Sequence, residues 1–163
     1  MNKGFWLKIL SFLVPALAAV VFLVWWLSPT QQVKRAAAAL VDAAEVRVLT
    51  TETREERTER FVGLVTDPVK VAIEGEFSGE LLDRDDLASA HGRLQSSVTS
   101  AQITVAEADI RFLAPDLAEF EAPMDVQLRL GQNFQQVYRF QTTLTFRKVG
   151  KKWLLSEVSA PFR

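Results

Sequence analysis

Ala118-Glu119-Phe120-Glu121-Ala122-Pro123-Met124-Asp125-Val126-Gln127-Leu128-Arg129-Leu130 is the stretch that decides the fold class. Its even positions are all apolar and its odd positions are all polar or proline. Side chains of a β-strand alternate between two faces, so this pattern predicts one long strand with a single buried face. Pro123 has no N–H to give a neighbouring strand, which predicts an edge position or a bulge at that point. After a hairpin at residues 131–136 the alternation resumes. Tyr138, Phe140, Thr142, Leu144 and Phe146 fall on one side, and Arg139, Gln141, Thr143, Thr145 and Arg147 on the other. A tight Gly150-Lys151 turn leads into a last strand over residues 152–160, with Trp153, Leu154, Leu155 and Val158. Upstream, Ile103 and Val105 share one parity while Ile110 and Phe112 take the other, and a bulge near residues 106–108 reconciles them.

Before residue 100 the period is helical. Ser28-Pro29-Thr30-Gln31 supplies a cap, a proline suited to the first helical position and a capping-box partner. Val33, Ala37, Leu40, Val41, Ala44 and Val48 then recur at helical spacing to about residue 49, and alanines at 36–39 permit close packing. Thr53 with Glu56 opens a second helix to about residue 65, with Phe61, Leu64 and Val65 inward. Its other side, Arg54, Glu55, Glu56, Arg57, Glu59 and Arg60, reads as a solvated face laced by i,i+4 pairs. Thr66-Asp67-Pro68 stops that helix, Val69, Val71 and Ile73 alternate as a short strand ending near Gly75, and residues 75–82 read as loop. Asp83 caps a third helix to about residue 98, marked by Leu87, Leu94 and Val98. Asp85 and Asp86 sit in its first turn, where the helix dipole favours negative charge, so capping accounts for the three acids without a metal.

The N-terminus has a different character. Residues 9–27 carry no charge, and as a helix this run is about 28 Å long, close to the roughly 30 Å hydrocarbon core of a bilayer. Trp6 stands at one end and Trp25 and Trp26 at the other, where indoles favour the headgroup level, and Lys3 and Lys8 can snorkel. The expectation is a cytoplasmic tail and transmembrane anchor over residues 1–28, followed by one domain over residues 29–163. A cleaved signal peptide is the competing reading. Against it stand the length of the apolar run and the position of the small-x-small site, Ala16-Leu17-Ala18, in its middle. Lys34 and Arg35 beyond the span nearly match Lys3, Lys8 and the terminal amine before it, and the orientation chosen places the domain outside the cytoplasm, in a periplasm where there is one.

Composition narrows the chemistry. A chain of 163 residues, less the anchor, has room for one core. A net charge of −1 gives no field that gathers nucleic acid by counterion release, so no nucleic-acid partner is expected. Without cysteine there is no disulfide, thiolate zinc site, thiol nucleophile or lipoprotein acylation site. No His-Glu-x-x-His, phosphate-cradling glycine loop or Ser–His–Asp set occurs, so neither a cofactor nor a metal is expected.

Three helices, a short strand between the second and third, then long antiparallel strands: this layout resembles the NTF2-like (SnoaL-like) superfamily over about residues 30–161. The stretches that carry the resemblance are Leu82-Asp83-Arg84-Asp85-Asp86-Leu87-Ala88, similar to the capped start of the family's third helix, and Phe146-Arg147-Lys148-Val149-Gly150-Lys151-Lys152-Trp153-Leu154-Leu155, similar to its closing strand–turn–Trp strand. The resemblance implies an α+β cone, three N-terminal helices packed on a strongly curved, mostly antiparallel sheet, here preceded by one transmembrane helix. The superfamily includes isomerases, dehydratases, cyclases, transport adaptors and secretion scaffolds, so residues must decide the function. Ketosteroid-isomerase-like members place a general base at the end of the short strand, where this chain has Glu74. Dehydratase-like members use histidine, and His91 is the one histidine here. Tyr138 is the one tyrosine, on the apolar face of its strand, where core packing is the simpler role.

Two functions compete. The first is a membrane-anchored, non-catalytic interaction or scaffold module of the cell envelope, meeting a protein partner or a second copy of itself through the cone mouth or outer sheet face. In layout it resembles the inner-membrane NTF2-like scaffolds of type IV secretion machines. The second is a small-molecule binder or acid–base enzyme, which requires Glu74, His91 and Tyr138 to converge in one pocket.

Overall fold

The computed structural model describes residues 18–48, 51–73, 77–131 and 134–161. The chain forms two compact units, Met1–Gln32 and Val33–Arg163. In the first, residues 18–26 are helical, and Ser28 Oγ accepts from Gln31 N at 3.4 Å as the next helix begins. Among the described residues no helix is long and apolar enough to cross a membrane. The expected transmembrane anchor is therefore not seen as such, and residues 9–17 of its apolar run lie outside the described residues.

Helices α1 (Pro29–Ala44), α2 (Arg54–Val62) and α3 (Arg84–Ser97) accompany a seven-stranded mixed sheet. Its strands are β1 (Val65–Ile73), β2 (Phe77–Leu82), β3 (Ser100–Val105), β4 (Asp109–Ala114), β5 (Leu117–Leu130), β6 (Phe134–Val149) and β7 (Lys152–Ala160). They lie in the order β2-β1-β7-β6-β5-β3, and β4 pairs β5 beyond the end of β3. β1 runs parallel to β7; the other pairings are antiparallel.

The alternation in residues 118–130 becomes β5, whose Ala118, Phe120, Ala122 and Met124 are buried. They meet Leu144, Phe146, Trp153 and Leu155 from the neighbouring strands and Val33, Ala37 and Leu40 from α1 in one core. Pro123 sits inside the sheet, not at its edge, at the point where the partner of β5 changes. Val105 pairs with Met124 but Asp109 pairs with Glu121, so one extra residue is accommodated between β3 and β4. Ala106 N donates to the Pro123 carbonyl at 3.0 Å across this break. The extra residue resolves the parity conflict of Ile103 and Ile110, and such insertions, with a further register shift between Thr145 and Phe146, bend a sheet.

Other expectations are corrected. Residues 77–82 are not loop: they form β2, which pairs antiparallel with β1. α2 ends at Val62 and Val65 already belongs to β1, four residues ahead of the expected strand start, with a cis Asp67-Pro68 peptide inside it. α1 ends at Ala44, not near residue 49; Val46 leaves the helix to bridge Ala101 in both directions at 2.9 Å, and Val48 is exposed. On α3 the inward stripe is Leu87, His91 and Gln95, Val98 is the extended C-cap buried with Val46 and Ala101, and Leu94 is exposed.

The β6–β7 turn has two residues, Gly150 and Lys151, between the paired Val149 and Lys152. Gly150 has φ +62° with open space where a Cβ would stand, so backbone handedness alone selects glycine. Gly150→Ala is expected to cost about 1 kcal/mol in a urea melt.

Candidate functional site

Asp83 holds the start of α3, its Oδ1 accepting from Asp85 N at 3.0 Å and Asp86 N at 2.9 Å. The capped helix then carries His91 and Gln95, one turn apart, toward α2. The His91 ring is 4 % exposed and stacks on Phe61, with centroids 4.4 Å apart at 10°. Its Nδ1 lies 2.9 Å from Gln95 Nε2 and 3.1 Å from Thr58 Oγ1, and Gln95 Nε2 donates to Thr58 Oγ1 at 3.2 Å. An amide nitrogen only donates, so Nδ1 accepts and the neutral ring carries its proton on Nε2. Nε2 makes no well-aligned hydrogen bond among the described residues, although the Ala43 backbone carbonyl is near enough to favour a proton on the ring. Burial pushes the His91 pKa below the ordinary 6.5; the Ala43 backbone carbonyl opposes this and the Arg57 charge adds to it. The ring is thus enclosed between α2 and α3, where burial favours its neutral form.

Of the three side chains singled out for acid–base chemistry, His91 and Tyr138 fall among the described residues, on α3 and β6 respectively. Glu74 lies outside them, just past the end of β1. Tyr138 is half-buried on β6, opposite Val126 in register, and stacks on Phe140 at 6.1 Å. Among the described residues it is not part of the main core cluster, and the side chains hydrogen-bonded to or stacked on His91 are Thr58, Gln95 and Phe61.

A cleft of about 580 Å³ opens instead between α1 and the β3–β4 turn. Ala37, Ala38 and Val41 of α1 face Val105, Ala108 and Phe120, so the small side chains in the alanine run leave the space. Lys34, Asp42, Glu45, Arg47 and Glu107 complete its lining. Asp42 is bound by Arg47 at 2.6 Å and Arg60 at 2.7 Å. The Arg60 hydrogen bond holds its carboxyl below the ordinary range against a smaller effect of burial, and Arg47 adds to the lowering. Glu45 takes Arg47 at 2.8 Å and accepts from Ile103 N at 3.0 Å. Sequence reasoning missed this cleft; four consecutive alanines were its only trace.

The helix α2 face read as solvated is only partly so: Arg57 is 5 % exposed, while Arg60 joins Asp42 to Glu52. Among the described residues no three His, Cys, Asp or Glu side chains gather as metal ligands.

No family model matches the chain, and no curated protein sequence matches it. Solved structures do. A candidate scytalone dehydratase from Novosphingobium aromaticivorans superimposes with a TM-score of 0.68 at 12 % identity, covering 82 % of this chain and 83 % of that one. An NTF2-like protein with a cystatin-like fold from the same organism gives 0.62 at 15 % identity over 90 % and 87 %. The hexachlorocyclohexane dehydrochlorinase LinA-type3 of Novosphingobium barchaimii gives 0.64 at 9 % identity over 82 % and 86 %. What the domain shares with them is the fold: an NTF2-like, SnoaL-like α+β architecture with helices on a curved mixed sheet.

Proposed function

We propose that this domain is a non-catalytic binding module of the cell envelope, held at the membrane by residues 1–28 with the domain on the extracytoplasmic side. In this reading the cleft between α1 and the β3–β4 turn seats an apolar group of a protein partner. One observation carries it: the cleft has an apolar floor, and two of the three carboxylates that line it, Asp42 and Glu45, are committed to arginines, while the third, Glu107, stands on the β3–β4 turn. A general base working near neutral pH needs a raised pKa and a free lone pair, and Asp42 is shifted the other way. The anchor rests on the uncharged run at residues 9–27 and the tryptophans flanking it.

The second reading, a small-molecule site or acid–base enzyme, is favoured by the cleft's volume, which falls in the range of ligand pockets, and by the dehydratase and dehydrochlorinase among its structural neighbours. Ala38→Trp discriminates. Ala38 is exposed and lines the cleft, so an indole there fills the space at little cost to folding. Native mass spectrometry of the full-length protein in mild detergent is expected to show a protein partner with the wild type and its loss, by at least tenfold in occupancy, with Ala38→Trp. A stoichiometric small molecule displaced by the same substitution overturns the partner in favour of the second reading. Release of the full-length chain from membranes by alkaline carbonate sinks the anchor.

A further inference from the structure

A second cleft, of about 510 Å³, lies between the start of α2, the end of α3 and residues 46–48. Two of the side chains that line it are buried, Arg57 at 5 % exposure and Gln95 at 3 %. A guanidinium carries five donors and is costly to bury without partners. Among the described residues the one ion-pair contact of Arg57 is Glu52, at 3.7 Å. Glu52 is already held through both oxygens by Arg60, at 3.0 and 2.9 Å. Arg47, Arg57 and Arg60 share Asp42, Glu45 and Glu52, three cations with three anions. Arg54, which also lines the cleft, is exposed and enters no ion pair among the described residues. Gln95 Oε1 is buried and has no hydrogen-bond partner among the described residues.

We propose that this cleft binds the anionic end of a small ligand, a carboxylate or phosphate group, on the Arg57 guanidinium, with Arg54 at its mouth. Planar guanidinium donors match either oxyanion in a two-pronged contact, and a cleft of this size has room for the body of the ligand beside Val46 and Val98. Thr99 supplies a further donor, because its Oγ1 accepts from Gly131 N at 3.0 Å and its O–H remains to be given. The unpartnered Oε1 of Gln95 fits the same picture. Rotating the amide by half a turn presents its NH2 to the anion and brings Oε1 to Thr58 Oγ1 and His91 Nδ1, which then carries a proton.

The site is thereby coupled to His91. The groups around the ring are Arg57, Thr58 and Phe61 from α2, the Ala43 carbonyl from α1 and Gln95 from its own helix; Arg57 is the charged one among them. An anion on Arg57 cancels the charge that disfavours the imidazolium, and the turned amide accepts from it. Ligand binding and His91 protonation then favour each other.

The chain's one histidine makes the test unambiguous, since its ring signals in an NMR spectrum have a single source. Full-length protein in mild detergent is titrated with inorganic phosphate and, separately, with acetate, against chloride at equal ionic strength. A saturable shift of the His91 signals with phosphate, acetate or both is expected, and a higher titration midpoint for His91 in the saturated protein; which anion saturates tells a phosphate from a carboxylate ligand. Arg57→Gln is expected to weaken binding on the order of a hundredfold. Arg54→Gln, at an exposed position, is expected to weaken it about fivefold with an unchanged melting temperature, and it keeps the test alive if Arg57→Gln does not fold. A response that is linear and no larger than that of chloride, or an affinity unmoved by Arg54→Gln, overturns the proposal.

Discussion

Phe146→Ala is expected to cost about 3–5 kcal/mol, enough to unfold much of a domain whose whole stability is on the order of 5–15 kcal/mol. Phe146 is 1 % exposed, the largest of the fully buried side chains. It pairs with Ala118 on β5 and Leu155 on β7, both buried, at the residue where the β6–β7 register shifts. Truncation there loses the transfer energy of the ring and opens a hole that the two flanking strands, fixed by their ladders, cannot close. Urea melts followed by tryptophan fluorescence give the cost directly. Phe146→Leu, which keeps most of the volume, is expected to cost less than half as much. A loss below about 1 kcal/mol for the alanine variant means that the core does not close on this ring.

His91→Ala carries the second large effect, on the order of 2–4 kcal/mol. It removes the ring stacked on Phe61 and strips Gln95, 3 % exposed, of one of its two hydrogen bonds. The pH profile separates this residue from any other core group. The folded-state pKa of His91 is lowered below 6.5, chiefly by burial, so the unfolded chain takes up a proton first as the pH falls. Stability from this group is full above pH 6.5, declines from there toward the lowered folded-state value and levels off below it. Asp42 and Glu56, both shifted downward from 3.8 and 4.5, act only at more acid pH. The wild type is thus expected to lose melting temperature just below pH 6.5, and His91→Ala to show a flat profile there. A wild-type profile that is flat between pH 7 and the carboxylate range contradicts the burial of a neutral imidazole.

The two clefts share Arg47, which lines both, and the Asp42–Arg60–Glu52 ion pairs run between them. Exposed ion pairs add little to stability, and the exposed members of this network are better regarded as the means by which the carboxylates near the first cleft are kept occupied.

Whatever depended on neighbours in the chain was legible in the sequence. Period-two alternation in residues 118–130 and 138–147 specified β5 and β6 with their buried faces, because side-chain direction along a strand follows from the backbone alone. The box of Thr53 with Glu56 closes at 3.2 and 2.8 Å, and Asp83 caps α3, since both pairs act within one turn of helix. The parity conflict between Ile103 and Ile110 located the extra residue at 106–108 for the same reason. Tertiary structure decided what depends on a distant partner. β2 is a strand because β1 offers it an edge, and Val46 leaves its helix because Ala101 takes both its backbone groups. Arg57 is buried because α3 and residues 46–48 close over a position that helical spacing alone assigns to solvent. His91 faces Gln95 and Thr58, not Tyr138, because the packing of α2 on α3, and not the residue type, sets where an imidazole points.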